Sequence, residues 1–207
     1  MLSVLLINCQ TLRNKVADLA AVKEKRKPDI ILGNESWLRP DINSSEIFPS
    51  NFNVFRKDRM NQAGGGVFQA IKKDISVNHR DDFDSSCEIL WTQCQVQGKK
   101  SKYILSGSFY RPHSSDMVSL NELDVSLSKI GNLINTNSVI LGGDFNAPNI
   151  SWENNQDLGH VATSERLTEI INEYDLEQLV NEPTRIHGTT RNTLDLVFTN
   201  NHEHHYV

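Results

Sequence analysis

Long apolar runs are scarce in this sequence, and their scarcity sets the first limits. The opening residues, "MLSVLLIN", carry no basic segment, and their apolar run is too short for a secretion signal. No later stretch is long enough to span a bilayer, so the chain reads as intracellular, in nucleus or cytoplasm. Cysteine is nearly absent. Cys9, Cys87 and Cys94 are odd in number and lack metal-ligand spacing, which argues against a disulfide scaffold. They read instead as small apolar packers in a reducing compartment. A surplus of positive charge is missing too: 21 Lys and Arg face 26 Asp and Glu, for a net charge of −5. Such a balance does not advertise a phosphate-neutralising surface. It leaves room for a cation held by carboxylates, which would bring its own positive charge.

What is present is enough for one large domain, and 1–207 reads as a single unit without repeats or linkers. Residues 2–8 are a short apolar run with a polar end, expected as a buried strand. Residues 12–27 place Leu12, Val16, Leu19 and Val22 on one helical face, and Pro28 stops that helix. "DIILGNES" then reads as a second buried strand, and strand, crossover helix and strand make a parallel pair. In the middle, "NVFRKDR", "GGGVFQAIKKD", "CEILWTQCQVQ" and "KYILSGSFYR" are successive strands expected to form an antiparallel sheet. A helix follows over 119–134 with Ser119 as N-cap, then the strand "SVILGGD". A helix opening on Thr163 or Ser164 and the strand "TLDLVFTN" complete the pattern. The expected class is α/β, with two mixed sheets packed face to face and helices outside.

The polar residues fall at strand ends. Asn8 ends the first strand, Glu35 the second, Tyr110 and Arg111 a middle one, and Asp144 and Asn146 follow "VILGG". Thr184 and Arg185 follow "LVNEP", and Asp195 stands between Leu194 and Leu196, where a lone carboxylate is costly unless paired. Each has a plainer reading: a turn at "GGDFNAPN", a strand-end cap at Asn8, a solvated acid at Glu35, a core aromatic at Tyr110. Polar groups delivered to one edge by distant strands are nevertheless how such scaffolds build sites.

"LLINCQTLRNK", "ILGNESWL", "GSFYRP", "GGDFNAP" and "TLDLVFTN" resemble, in order and spacing, the endonuclease/exonuclease/phosphatase superfamily. The branch most similar is the apurinic-endonuclease-like nuclease domain of non-LTR retrotransposons. The resemblance implies a four-layer α/β sandwich and a DNA-nicking phosphodiesterase that uses Mg²⁺ or Mn²⁺ and leaves 3′-hydroxyl and 5′-phosphate ends. It implies that Glu35 is the principal metal ligand, with Asn8 helping to hold metal and phosphate. By the same resemblance Tyr110 donates to the scissile phosphate, Asp144 orients or deprotonates water, Asn146 fixes water and phosphate, and Thr184 contacts phosphate. Asp195 matches the aspartate that orients a catalytic histidine. The chemistry suits these types: a hard cation on one or two carboxylates, neutral donors where charge develops, and a carboxylate base. Arg111 and Arg185 are further substrate contacts, and Arg56, Lys57, Arg59, Lys72, Lys73 and Arg191 are candidate DNA contacts. The reverse transcriptase portion of a longer polyprotein is the implied partner.

Two positions depart from that pattern. Gln10 stands where repair enzymes of the superfamily carry aspartate, which places more of the cation binding on Glu35. The chain also ends at "NHEHHYV", before the "SDH" motif and final strand of the superfamily. His202 stands seven residues beyond Asp195, roughly 23 Å along an extended strand, so His202, His204 and His205 are expected to be an exposed terminus. His187 is the weaker substitute. Without that strand an unpaired sheet edge would favour self-association. The competing reading is a catalytically impaired remnant that keeps the fold as a nucleic-acid-binding or structural module. A third, hydrolysis of a small phosphate ester, lacks any substrate-specific insertion to support it.

Overall fold

The computed structural model describes residues 2–60, 63–95, 103–152, 156–157 and 161–201. In chain order, β1 (Val4–Asn8), α1 (Val16–Arg26), β2 (Ile30–Asn34), α2 (Ser44–Ile47), β3 (Phe52–Lys57) and β4 (Val67–Lys72) come first. They are followed by β5 (Val77–His79), β6 (Glu88–Gln95), β7 (Tyr103–Tyr110), α3 (Met117–Ile130) and β8 (Ser138–Asp144). Then come β9 (Ile150–Ser151), β10 (Gln156–Asp157), α4 (Ala162–Glu173) and β11 (Glu177–Gln178). The hairpin of β12 (Arg185–His187) and β13 (Thr190–Asn192) and the strand β14 (Asp195–Thr199) complete the described elements.

Two mixed sheets carry the fold, in the orders β1-β2-β4-β3 and β11-β14-β8-β7-β6-β5. They pack face to face, with Ile30, Leu32 and Ile71 of one against Cys94, Ile104 and Ile140 of the other. Helix α1 covers the outer face of the first sheet through Leu12, Leu19 and Ile31. Helices α3 and α4 cover the second through Leu123, Leu127, Leu167 and Ile170. The order helix, sheet, sheet, helix is the expected four-layer α/β sandwich. All three cysteines are buried and free. No helix among the described residues is long and apolar enough to cross a membrane.

The parallel β1–β2 pair forms as the crossover pattern requires. Strand β1 itself is only partly buried at all five positions, against the expectation of a buried strand. The reason is its place in the order: among the described residues β2 is its only strand partner. The middle strands also divide differently. β3 and β4 pair antiparallel in the first sheet, whereas β6 and β7 pair antiparallel in the second, so the run crosses between layers. Alternation of apolar residues reports a strand's two faces and not the sheet it joins.

Helix α3 starts two residues before the expected cap. Asp116 is its N-cap and accepts from the Ser119 N–H at 3.0 Å and the Ser119 hydroxyl at 2.6 Å. Helix α4 begins at Ala162 with no side-chain cap, so neither Thr163 nor Ser164 opens it; both are buried. The Thr163 hydroxyl donates instead to the Ser114 carbonyl.

Candidate active site

Strand register delivers the polar residues to one rim. Tyr110 lies opposite Asp144, and Asp144 opposite Asp195, so in the second sheet β7 and β8 end where the antiparallel β14 begins. In the first sheet Asn8 lies opposite Asn34, the residue before Glu35. Two amides stitch the layers together there. Asn34 donates to the Phe109 carbonyl at 3.0 Å, and Asn8 Nδ2 donates both to Asp144 at 2.9 Å and to Glu35 at 3.2 Å.

Asp144 is 6% exposed. Burial first, and then the neighbouring Asp195 and Glu35 charges, push its carboxyl up to about 7, against a hydrogen bond from Asn146 N–H and the charge of Arg185. Asp195 is also raised, by burial and then Glu35, with Thr184 and Asn8 opposing. The Tyr110 hydroxyl is pushed up to about 12 by burial, Glu35 and Asp144, with Arg59 opposing. Three acids therefore crowd one rim with little to neutralise them.

The flanking residues hold this arrangement. Asn146 donates its backbone N–H to Asp144 Oδ1 at 3.0 Å and its amide to the Arg111 carbonyl at 2.6 Å. Thr184 Oγ1 accepts from the N–H groups of Leu194 and Asp195, both at 3.0 Å, and the Thr184 side chain is exposed. Arg111 is almost wholly enclosed, its guanidinium on the carbonyls of His113 and Ser114, with Nη1 buried and unpartnered. Arg185 is exposed at the start of the hairpin and reaches Asp144 through its field. Asp195 Oδ1 is buried with no hydrogen-bond partner among the described residues. His187 is exposed in the same hairpin, and His202, His204 and His205 lie outside the described residues.

Several cations named as DNA contacts are engaged internally. Arg56 bonds Asp58 and the Ile42 and Arg39 carbonyls, Lys57 the carbonyls of Ser85 and Ile89, and Lys72 pairs with Asp29 at 2.7 Å. Lys73, Arg185 and Arg191 are exposed.

Sequence reasoning missed the second rank of residues. Arg59 pairs with Glu88 and lies 5.4 Å above the Tyr110 ring, while Glu88 also accepts the Gly66 N–H. Nothing in the local sequence couples positions 59, 88 and 110. Trp37 stood in the motif "NESW" and passed unnoticed; its indole donates to Glu35 Oε2 at 3.3 Å. Gln10, Thr11, Glu35, Trp37 and Asn146 all have positive φ, from 41° to 76°. Such conformations cost about 1–3 kcal/mol each and tend to gather at functional sites.

A divalent cation suits this donor set. Among the described residues the Glu35 carboxylate accepts from the neutral N–H groups of Asn8 and Trp37, and the side-chain carbonyl oxygen of Asn8 is buried with no partner. A hard oxygen donor left over beside a carboxylate is what Mg²⁺ takes, in company with water. Among the described residues no three His, Cys, Asp or Glu side chains form a metal cluster by themselves.

The layers and the rim together define a nuclease-type sandwich of the AP endonuclease and retrotransposon endonuclease kind. Residues 104–207 match the family described as endonuclease-reverse transcriptase, and the chain belongs to that family. Solved structures that share the fold include three of the same kind of sandwich. One is the endonuclease domain of TRAS1, a telomere-specific non-LTR retrotransposon, at TM-score 0.68 and 19% identity, covering 96% of this chain and 84% of that one. The AP endonuclease LMAP of Leishmania major gives 0.71 and 16%, with 96% and 78% covered. The 3′ phosphatase NExo of Neisseria, bound to a product DNA hairpin, gives 0.64 and 11%, with 96% and 86% covered. No curated protein matches the chain.

Proposed function

We propose that this chain is a Mg²⁺-dependent phosphodiesterase that nicks DNA to leave 3′-hydroxyl and 5′-phosphate ends, as target-site nicking by a non-LTR retrotransposon requires. The observation that carries the reading is the Asn8 amide spanning Glu35 and Asp144 where strands of both sheets end. In it residues 1–207 act as one domain inside the cell, nuclear or cytoplasmic, beside the reverse transcriptase portion of a longer polyprotein.

Glu35 and the free carbonyl oxygen of Asn8 would hold Mg²⁺ or Mn²⁺, which supplies Lewis acidity to a phosphate oxygen. Asp144, with a carboxyl near neutrality, takes a proton from water as the water oxygen bonds to phosphorus. Asp195 keeps Asp144 basic through its charge, and the Asn146 N–H fixes its orientation. The bond to the 3′ oxygen breaks on the opposite side, and that oxygen leaves as a hydroxyl once protonated. Tyr110 stays protonated through this pH range and donates to the phosphate oxygens where charge builds. Thr184 and Arg185 flank the phosphate, and Arg111, with Asn146 bound to its carbonyl, sets the rim behind it.

Conversion of supercoiled plasmid to open circles with Mg²⁺, and none with EDTA, is the expected result. End-labelling of the nick should find a 5′-phosphate. DNA retention without any metal-dependent nicking would instead favour the impaired binding-module reading. The open edge of β1 is proposed to support self-association; a clean monomer in sedimentation at high concentration would refute it.

A further inference from the structure

Trp37 is 45% exposed and belongs to none of the hydrophobic clusters, so burial does not explain its conformation. Of the other two tryptophans, Trp91 is fully buried and donates to Ser126, and Trp152 is partly buried against Phe198. Trp37 has φ of 52°, a region costly for a bulky side chain. Its neighbours hold it there. Ser36 N–H donates to the Gly66 carbonyl at 3.2 Å, Trp37 N–H to the Gly65 carbonyl at 2.9 Å, and Leu38 is buried beneath. Gly64, at φ of 81°, lies against the ring; a methyl group added there would stand in ordinary contact, 3.6 Å from the indole nitrogen, so it is the backbone conformation that favours glycine. The indole is thus fixed beside Glu35, where it borders an open groove of about 570 Å³ walled also by Arg39, Pro40, Arg59 and Met60. That is the size of a small-molecule site, with a flat aromatic ring and two guanidinium groups among its walls.

We propose that Trp37 is a stacking platform for one nucleobase of the substrate strand, next to the phosphate held at Glu35, and that the groove receives that nucleotide unstacked from its duplex. The inference rests on the nuclease reading and adds a preference to it: a nick beside an unpaired or mismatched base. Arg39 lines the groove with its side chain 67% exposed and 3.6 Å from the Asp41 carboxylate, a surface pair weak enough to exchange for the strand's phosphates. Unstacking costs least at a base that has already lost its partner.

Binding and nicking separate the two readings. Affinities are measured in EDTA, on the full chain, with a duplex carrying an unpaired 2-aminopurine and with its fully paired counterpart. Trp37→Ala should weaken binding to the unpaired probe about tenfold and remove the 2-aminopurine quenching, with less than twofold change for the paired duplex. Trp37→Phe keeps a ring and loses the N–H bond to Glu35, so it should bind like wild type. Equal losses in both variants would mean that Trp37 serves only to orient Glu35, and unchanged affinity in Trp37→Ala would overturn the platform outright. A wild-type chain that shows the affinity difference but never nicks with Mg²⁺ sinks the nuclease reading and leaves the platform standing.

Discussion

Gln69 and Asn8 carry the same carboxamide and sit in the same sheet. Gln69 is fully buried, and all its capacity is used. Its two N–H groups meet the carbonyls of Leu90 and Ser106, and its oxygen accepts from the hydroxyls of Thr92 and Ser106. That network is neutral, complete and surrounded by core. Asn8 spends both donors on two carboxylates and leaves its oxygen buried with nothing to bind. Completeness is the difference. Buried polar groups in folded proteins are normally satisfied, so folding alone explains the first cluster, whereas among the described residues the second keeps an acceptor in reserve.

The widest gap between the two clusters should appear in activity. Asp144→Ala is expected to lower nicking on the order of 10³-fold by removing the base, read as open-circle formation over time. Gln69→Ala should leave the rate per folded molecule unchanged. Equal losses of activity would erase the division between a structural and a functional cluster.

Stability should reverse that ranking. Gln69→Ala strands two carbonyls and two hydroxyls in the core and is expected to destabilise the fold by about 3 kcal/mol in urea titration. Asn8→Ala in EDTA should stay within about 0.5 kcal/mol, because it relieves an unsatisfied oxygen as it breaks two bonds. A large cost at Asn8 would make the rim a folding element.

The pH response sharpens the contrast. Asp144 binds its proton more tightly folded, at about 7, than unfolded, at its ordinary 3.8. Between those values the folded state holds more protons, so this group makes metal-free stability fall as pH rises from about 4 to 7. Asp144→Asn should flatten that slope and stabilise the metal-free protein at pH 8 by on the order of 2–3 kcal/mol, read as the thermal midpoint in EDTA. The Gln69 cluster contains no titrating group and should show no such slope. An unchanged profile would mean that Asp144 is ionised without strain.

Metal affinity gives the smallest effect. Glu35→Ala should weaken Mn²⁺ binding at least about tenfold, measured by titration, while Gln69→Ala leaves it alone. Identical affinities would remove Glu35 from the metal site.

How much of this was legible beforehand differs from element to element. β8 was read residue for residue from "SVILGGD", and β2 nearly so, because short apolar runs between turn formers leave few alternatives. The start of α3 was misplaced because Asp116 caps it from a stretch, "HSSDMVS", in which several residues are able to cap. The candidate residues were found one at a time as strand ends, and the resemblance ordered them. Their distances were not legible.

Local pattern by itself did not determine α2, β5 or the short strands β9 to β13, but it determined the longer strands, the bodies of α1, α3 and α4 and the presence of a carboxylate or amide after most of the inner strands. Those depend on side-chain period and on turn formers, which act over a few residues. Only the tertiary structure decided that Tyr110, Asp144 and Asp195 stand abreast, that Arg59 and Glu88 back Tyr110, and that the Asn8 oxygen goes unpaired. Register and sheet order are set by packing between segments tens of residues apart, and 136 apart for Asn8 and Asp144, and no local period encodes them.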